Sequence, residues 1–296
     1  MQISAILLLT YRELWAKKIT IGLFVICTLV WTMLAFALNL DIVEGSLAGM
    51  RIFGAEATPD EVVRDPDTGE ALTNPETGDV ITQILSLERV VIEIERIVGV
   101  LAYWAGILLA LFATASLLPS LLEQGRVDLL LSKPLGRVRL LCGHLLGVFL
   151  TMLGIALYLF GMVWLVMSWK TGIWNPWFFQ TMFVVVAMFG VMYSVVALIG
   201  VTARSAPLAL LVSYGLMFAS WILTAKDELA PQINPPWRQV FLGFYHVLPN
   251  FGEVTVLVVK LTGGQVVESW YPFLSSLAFG AVLFAATFFF FTRRDF

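Results

Sequence analysis

Residues 178–201 read FFQTMFVVVAMFGVMYSVVALIGV and contain no charged side chain. An α-helix needs about 20 apolar residues to cross the hydrocarbon core of a bilayer, which is roughly 30 Å thick. This run is therefore long enough to cross a membrane as one helix. After the short turn at residues 202–206, a second apolar run follows at residues 207–225. The pair predicts two consecutive membrane spans.

Four further apolar runs occur at residues 19–38, 97–118, 140–166 and 273–292. Of the 296 residues, 59% are hydrophobic and 13% are charged, and the mean hydropathy is +0.88. A soluble domain is about half apolar and about a quarter charged, so this composition excludes a soluble enzyme, a disordered chain and a secreted disulfide scaffold. We predict an all-α membrane protein, a polytopic bundle of six transmembrane helices.

The distribution of charge predicts the orientation of this bundle. The N-terminal segment, residues 122–139, Arg204 and the C-terminus fall on one side, which carries ten basic and four acidic residues; the other side carries eight basic and 17 acidic residues. Short loops rich in Lys and Arg face the cytoplasm. Both termini are therefore predicted to be cytoplasmic. The net charge of −3 gives no bulk attraction to nucleic acid.

The N-terminus is predicted to form an amphipathic helix on the cytoplasmic membrane surface. Apolar side chains recur at helical spacing over residues 2–17, from Ile3 to Trp15, whereas Arg12, Glu13 and Lys17 fall largely elsewhere. A simple membrane anchor with basic flanks explains the same pattern.

A second amphipathic helix is predicted in the cytoplasmic segment 123–137, which reads EQGRVDLLLSKPLGR. Gly125 interrupts the preceding helix, and Pro134 disfavours helix at Lys133. Between them lies an apolar stripe of Val127, Leu130 and Leu131. The stripe favours a docking surface for a partner, and the alternative is a connector lying against the membrane.

Two external segments differ in character. Residues 40–96 carry 13 acidic and four basic residues and contain two turn-like copies at 65–70 and 74–79. They are interpreted either as a docking surface for an extracytoplasmic protein or as a solvated loop.

Residues 226–272 are fairly apolar but rich in proline, so their helix-like part at 237–262 is predicted to be either re-entrant or interfacial.

No catalytic chemistry is indicated. The chain lacks a phosphate-binding loop, a Gly-x-Ser-x-Gly motif and a His-Glu-x-x-His motif, and His144 and His246 are its only histidines. We predict no catalytic residue and no metal site. An ion-coupled transporter is disfavoured as a function because the span centres carry almost no ionisable groups. A membrane scaffold that works without an ATPase is a further alternative.

Several polar or soft side chains within the predicted spans are candidate pathway-lining residues, although helix packing explains them equally well. They are Tyr103, Ser116, Tyr158, Met192, Tyr193, Ser194, Ser213 and Tyr214. None is assigned to substrate binding.

The pattern from Glu123 through Asp128 to Pro134 and Arg137, followed by Gly143 and Gly147, resembles the loop after the second span in type-2 ATP-binding-cassette (ABC) exporter permeases. That group includes the permeases of nitrous-oxide-reductase maturation. The resemblance extends to YREL at 11–14, LPNF at 248–251 and FTRRDF at 291–296.

The resemblance implies a permease in the prokaryotic cytoplasmic (inner) membrane that pairs with a second copy or a related permease. Each copy would receive a separate cytoplasmic ATPase, which holds the ATP and Mg, while this chain binds no cofactor. Residues 1–18 would be a connector helix, with Tyr11, Arg12, Glu13 and Trp15, and residues 19–296 the six-span domain. The ATPase-coupling residues implied are Glu123, Gly125, Arg126, Asp128, Leu130, Leu131, Lys133, Pro134 and Arg137.

Overall fold

The architecture was taken from a computed structural model. The residues that it describes are 2–16, 18–43, 46–52, 55–56, 60–62, 82–84, 86–122, 136–232, 234–235 and 237–293.

The described residues are mainly helical, as expected. The α-helices are α1 Gln2–Ala16, α2 Lys18–Ala37, α3 Leu87–Leu101, α4 Ile107–Thr114, α5 Leu117–Leu121, α6 Arg137–Thr171, α7 Phe178–Thr202, α8 Ala206–Thr224, α9 Lys226–Leu229, α10 Trp237–Val247, α11 Phe251–Thr262 and α12 Tyr271–Arg293. A π-helical turn, Ala102–Gly106, joins α3 to α4. A 3₁₀ turn, Ala230–Gln232, follows α9.

Within the described ranges, five continuous helical stretches are long and apolar enough to cross a membrane. They are Leu87–Leu121, Val138–Thr171, Phe178–Thr202, Ala206–Thr224 and Tyr271–Arg293. Two bent helix pairs meet the same criterion only when joined: α1 with α2, at 74°, and α10 with α11, at 53°. The chain is thus a multi-pass membrane protein with five to seven candidate spans, within which the predicted six falls.

The second span begins earlier than predicted. The sequence placed its start at Ile97, but α3 begins at Leu87, where the Ser86 side chain accepts a hydrogen bond from the Arg89 backbone N–H at 3.4 Å. This N-cap satisfies a backbone donor that the first helical turn otherwise leaves free. Residues 87–96 therefore belong to a helix, although their charges resemble those of the preceding loop.

Short strands occupy part of the predicted acidic loop. Strand β1 Leu38–Val43 pairs antiparallel with β2 Ser46–Ile52, which pairs with β3 Ala55–Glu56. Strands β4 Asp60–Val62 and β5 Thr82–Ile84 form a separate antiparallel pair. The two predicted turns at 65–70 and 74–79 lie outside the described residues.

Helix α7 is the centre of the bundle. It packs against α12, α8, α6 and α11, and most of its side chains are buried, including Phe178, Met188 and Val196. The run that most clearly predicted a membrane span is thus also the one most enclosed by protein. The ends of α1, α5 and α6 meet at one end of this bundle, which we call the α1 end; α11 and the loop between α6 and α7 lie at the opposite end.

Candidate functional site

The predicted ATPase-coupling segment connects α5 to α6 at the α1 end. The part of it at residues 123–135 lies outside the described residues, and its helix stays a prediction. The coupling residues concerned are Glu123, Gly125, Arg126, Asp128, Leu130, Leu131, Lys133 and Pro134. The last coupling residue, Arg137, is described and begins α6. The elements on either side of the segment are therefore the part of the candidate site whose geometry is known.

Helix α1 lies directly against α6. Thr10 is fully buried, and its Oγ1 lies 3.3 Å from Nδ1 of His144. One turn further along α6, a Cβ atom built on Gly147 would lie only 2.8 Å from the Thr10 Cβ. Carbon atoms at van der Waals contact are about 3.5–4.0 Å apart, so only glycine at position 147 permits this approach.

Helix α1 also contacts α5. The Ser120 hydroxyl donates a hydrogen bond to Glu13 Oε1 at 3.4 Å, and Leu14 beside it is fully buried. Because Ser120 is near the end of α5 and His144 is near the start of α6, α1 contacts both helices that flank the coupling segment. Of the predicted connector residues, Tyr11 and Arg12 are exposed, and Glu13 and Trp15 are half-buried.

A hydroxyl and aromatic cluster joins α2 to α6. The Tyr158 hydroxyl lies 3.0 Å from Thr28 Oγ1 and accepts a hydrogen bond from Trp31 Nε1 at 3.0 Å. The Tyr158 ring stacks on Phe24, which in turn contacts Trp15 of α1. Movement of α1 is thereby linked by direct contact to α2 and α6.

The turn between α10 and α11 is fixed by side chains from neighbouring helices. The Asn250 backbone N–H donates to Ser276 Oγ at 2.9 Å, and its side-chain amide donates to Ser275 Oγ at 3.0 Å. The Gly252 N–H donates to Ser220 Oγ at 3.1 Å. Irregular backbone within a membrane requires such internal partners. These contacts, with the burial of Phe251, favour the re-entrant interpretation over an interfacial helix.

The π-helical turn faces the start of α11. Tyr103, fully buried, donates a hydrogen bond from its hydroxyl to the Phe251 carbonyl at 2.6 Å, and its ring stacks on that of Phe251. The next residue, Trp104, donates from Nε1 to Thr255 Oγ1 at 3.1 Å. π-helical turns alter side-chain direction within a helix and are frequent at functional sites; here two consecutive residues contact the same helix.

Tyr103→Phe is expected to lower the free energy of unfolding by about 0.5–1.5 kcal/mol, because it removes the hydrogen bond from the buried Tyr103 hydroxyl to the Phe251 carbonyl. Thermal unfolding in detergent measures this loss. Tyr214→Phe is the matched control, since the Tyr214 hydroxyl also donates to a carbonyl, that of Leu108 at 2.8 Å, but from a half-buried position. Equal stability of Tyr103→Phe and wild type would show that the hydrogen bond between Tyr103 and Phe251 does not stabilise the fold.

A buried polar cluster joins α3, α11 and the loop before α7 at the opposite end. Glu95 is fully buried, and its Oε2 accepts a hydrogen bond from the Asn175 side-chain amide at 2.7 Å. The same amide donates to the Thr262 carbonyl at 2.9 Å, and the Asn175 Oδ1 accepts from the Trp177 N–H at 3.2 Å. Asn175 therefore links three elements of the chain.

A second polar cluster contains Lys226, the first residue of α9. Lys226 Nζ is 2.7 Å from Glu253 Oε1, and the Tyr245 hydroxyl donates to Glu253 Oε2 at 2.8 Å. Burial acts to lower the pKa of Lys226, but its hydrogen bonds with Glu253 and Tyr245 outweigh burial and raise that pKa above its usual value. These partners explain how Glu253 is accommodated in the largely apolar first half of α11.

Most of the candidate lining residues are enclosed by helix packing within this chain. Tyr103, Met192, Tyr193, Ser194 and Ser213 are buried. Tyr158 and Tyr214, which are half-buried, hydrogen-bond to neighbouring helices. Of the two explanations for these side chains, helix packing is the one that their contacts support.

Sequence patterns missed most of the residues that make these contacts. Thr10, Ser120 and Asn175 have no distinctive spacing, and nothing in the chain order indicates that Asn175 meets Glu95, 80 residues earlier. Glu95 did carry a signal, because it is an acidic residue two positions before an apolar run. Gly147 was part of the family resemblance, but its contact with Thr10 depends on how α1 folds back.

The family model described as ABC-2 family transporter protein matches residues 12–296. The match includes α2 to α12, the predicted coupling segment and most of the second half of the α1 helix. No curated protein matches the chain.

Proposed function

The chain belongs to the ABC-2 transporter family, and on that premise we propose that it is the permease subunit of an exporter driven by a separate ATPase. Membership makes it a membrane permease component of an ABC transporter. Family membership favours an ATPase-driven permease over an ion-coupled transporter or a membrane scaffold. It also agrees with the expectation that the chain itself is a transport subunit and not an enzyme.

The observation that carries the proposal is the position of α1. This helix hydrogen-bonds to Ser120 on α5 and contacts His144 and Gly147 on α6, so it contacts both helices that hold the coupling segment. A displacement of residues 123–137 by an ATPase would reach α1 through these contacts. The cluster of Trp15, Phe24 and Tyr158 would then pass it to α2 and α6.

The proposed assembly contains two permeases, either two copies or this chain with a related one, and a cytoplasmic ATPase for each. The ATPase would bind ATP and Mg and contact the apolar stripe of Val127, Leu130 and Leu131. Arg126, Asp128 and other charged residues beside the stripe would set the register of docking. The α1 end would face the cytoplasm of a prokaryotic cell.

The opposite end supports an exit role. The turn between α10 and α11 is held by Ser220, Tyr103 and Ser276, so shifts of α8, α12 or the π-helical turn would be transmitted to this pair. In the proposed transporter this pair borders the external exit. The acidic segment that precedes α3 is a proposed docking surface for an extracytoplasmic protein.

The double variant Leu130→Asp, Leu131→Asp is expected to abolish co-purification of the ATPase, because two carboxylates cannot be buried in an apolar groove without compensation. The experiment purifies the tagged full-length chain from its native membranes in mild detergent. It then identifies the co-purifying subunits and measures ATP hydrolysis.

The matched control is Leu129→Asp, which introduces the same chemistry on the opposite side of the predicted helix and is expected to retain the ATPase. Comparable membrane levels of all variants show that insertion is intact. A wild-type chain that purifies with no nucleotide-binding subunit and no ATPase activity would refute the proposed function.

A further inference from the structure

A groove of about 530 Å³ opens between α1, α2 and α6. Its wall includes Leu8, Tyr11, Trp15, Leu150, Gly154 and Tyr158. Leu8 and Leu150 are about half exposed, so the groove opens to the outside of the bundle and not into its centre. It lies at the bend of 74° between α1 and α2.

The chemistry of the wall is suited to a hydrocarbon chain. Most of the lining is aliphatic or aromatic. The hydroxyl of Thr151 donates to the Gly147 carbonyl, and that of Tyr158 is bonded to α2, so neither requires a polar ligand. The exception is Trp15, whose indole N–H is buried without an acceptor among the described residues. Tryptophan at a membrane interface commonly combines apolar contact with one hydrogen bond.

All three helices that form the groove carry an exposed cationic side chain. Arg12 on α1, Lys18 on α2 and Arg139 on α6 are exposed, and each belongs to a helix that forms the groove. Among the acidic residues of these elements, Glu13 is half-buried and bonded to Ser120. The exposed charge is therefore positive. The cytoplasmic leaflet carries anionic lipids, and each Lys or Arg near its surface adds about 1 kcal/mol of attraction.

We propose that this groove binds one anionic phospholipid of the cytoplasmic leaflet. An acyl chain fills the space between α1, α2 and α6, and the headgroup lies beside Arg12, Lys18 and Arg139. The bound lipid completes the surface on which α1 rests. The proposal uses the orientation proposed above but is independent of an ATPase, so failure of either can be recognised separately.

The first test fills the groove. A side chain at Gly154 meets no protein atom within 4 Å, so Gly154→Leu occupies the groove without displacing a helix. Native mass spectrometry of the full-length chain is performed with added dioleoyl phosphatidylglycerol or dioleoyl phosphatidylcholine. Wild type is expected to retain one phosphatidylglycerol per chain and to prefer it to phosphatidylcholine. The Gly154→Leu variant is expected to bind at least tenfold less phosphatidylglycerol than wild type.

Gly161→Leu is the matched control. Gly161 lies on the same helix two turns further along, also has no protein atom within 4 Å of a built Cβ, and does not line the groove. It is expected to bind phosphatidylglycerol as wild type does. Equal loss in the two variants, or full retention in Gly154→Leu, would overturn the proposal.

A second test addresses the headgroup. The double variant Arg12→Gln, Lys18→Gln is expected to bind phosphatidylglycerol no better than phosphatidylcholine, while binding of phosphatidylcholine is unchanged. If Gly154→Leu instead dissociates a lipid-free dimer into single chains, the groove holds a second copy of the protein, and the lipid proposal is wrong.

Discussion

Gly147→Ala is expected to uncouple ATP hydrolysis from transport in the proposed exporter. Its Cβ would lie 2.8 Å from the Thr10 Cβ, which is next to the α1 backbone and cannot rotate away. Helix α1 must therefore move from α6 by about 1 Å to restore van der Waals contact. Overpacking of this kind costs about 1–3 kcal/mol, which lowers the equilibrium constant for docking of α1 by roughly 5- to 150-fold.

The measurement compares substrate-stimulated ATPase activity and transport in reconstituted vesicles. Gly161→Ala is the control on the same helix, because its new methyl group meets open space. The second substitution Thr10→Gly removes the clashing Cβ, so it should restore part of the coupling lost in Gly147→Ala. Unchanged coupling in Gly147→Ala would show that α1 does not transmit motion through this contact.

Asn175→Leu is expected to destabilise the protein by about 3 kcal/mol or more. It removes the hydrogen-bond partners of Glu95 Oε2, the Thr262 carbonyl and the Trp177 N–H together. Each buried polar group left unpaired costs about 1–3 kcal/mol. Thermal unfolding followed by gel filtration in detergent measures the loss.

Glu95→Gln is the matched control for this cluster. Its side-chain carbonyl still accepts the Asn175 hydrogen bond, and it removes a carboxyl group from a fully buried position. Stability equal to or above that of wild type is expected. The double variant Glu95→Met, Asn175→Leu should recover part of the loss, because it leaves no buried carboxyl group. A wild-type unfolding temperature for Asn175→Leu would contradict the structural role of the cluster.

The membrane spans were largely predictable because their signal is local. A run such as residues 178–201 must be helical in a bilayer, whatever it packs against, since no water is present to satisfy its backbone. The start of α3 was not predictable in this way. Residues 87–96 are charged enough to resemble a solvated loop, and their helix depends on the Ser86 cap and on packing against α11.

The candidate site was also predictable only where its signal is local in the sequence. Periodicity predicted a helix at residues 2–17, and α1 was found at Gln2–Ala16. The sequence did not indicate the 74° bend between α1 and α2. It also did not indicate that α1 packs against Gly147. Those features depend on which surfaces of α5 and α6 are free once the bundle has packed.

The sequence by itself determined that the chain is a multi-pass helical membrane protein, and its motifs indicated the permease family, because hydrophobic length and short motifs act along the chain. Only the tertiary structure decided that α1 contacts both helices flanking the coupling segment. It alone placed Asn175 between Glu95 and Thr262 and fixed the turn before α11 with serines from two other helices. The physical reason is that these contacts join residues far apart in sequence, and their partners are selected by close packing and by the need to satisfy buried polar groups.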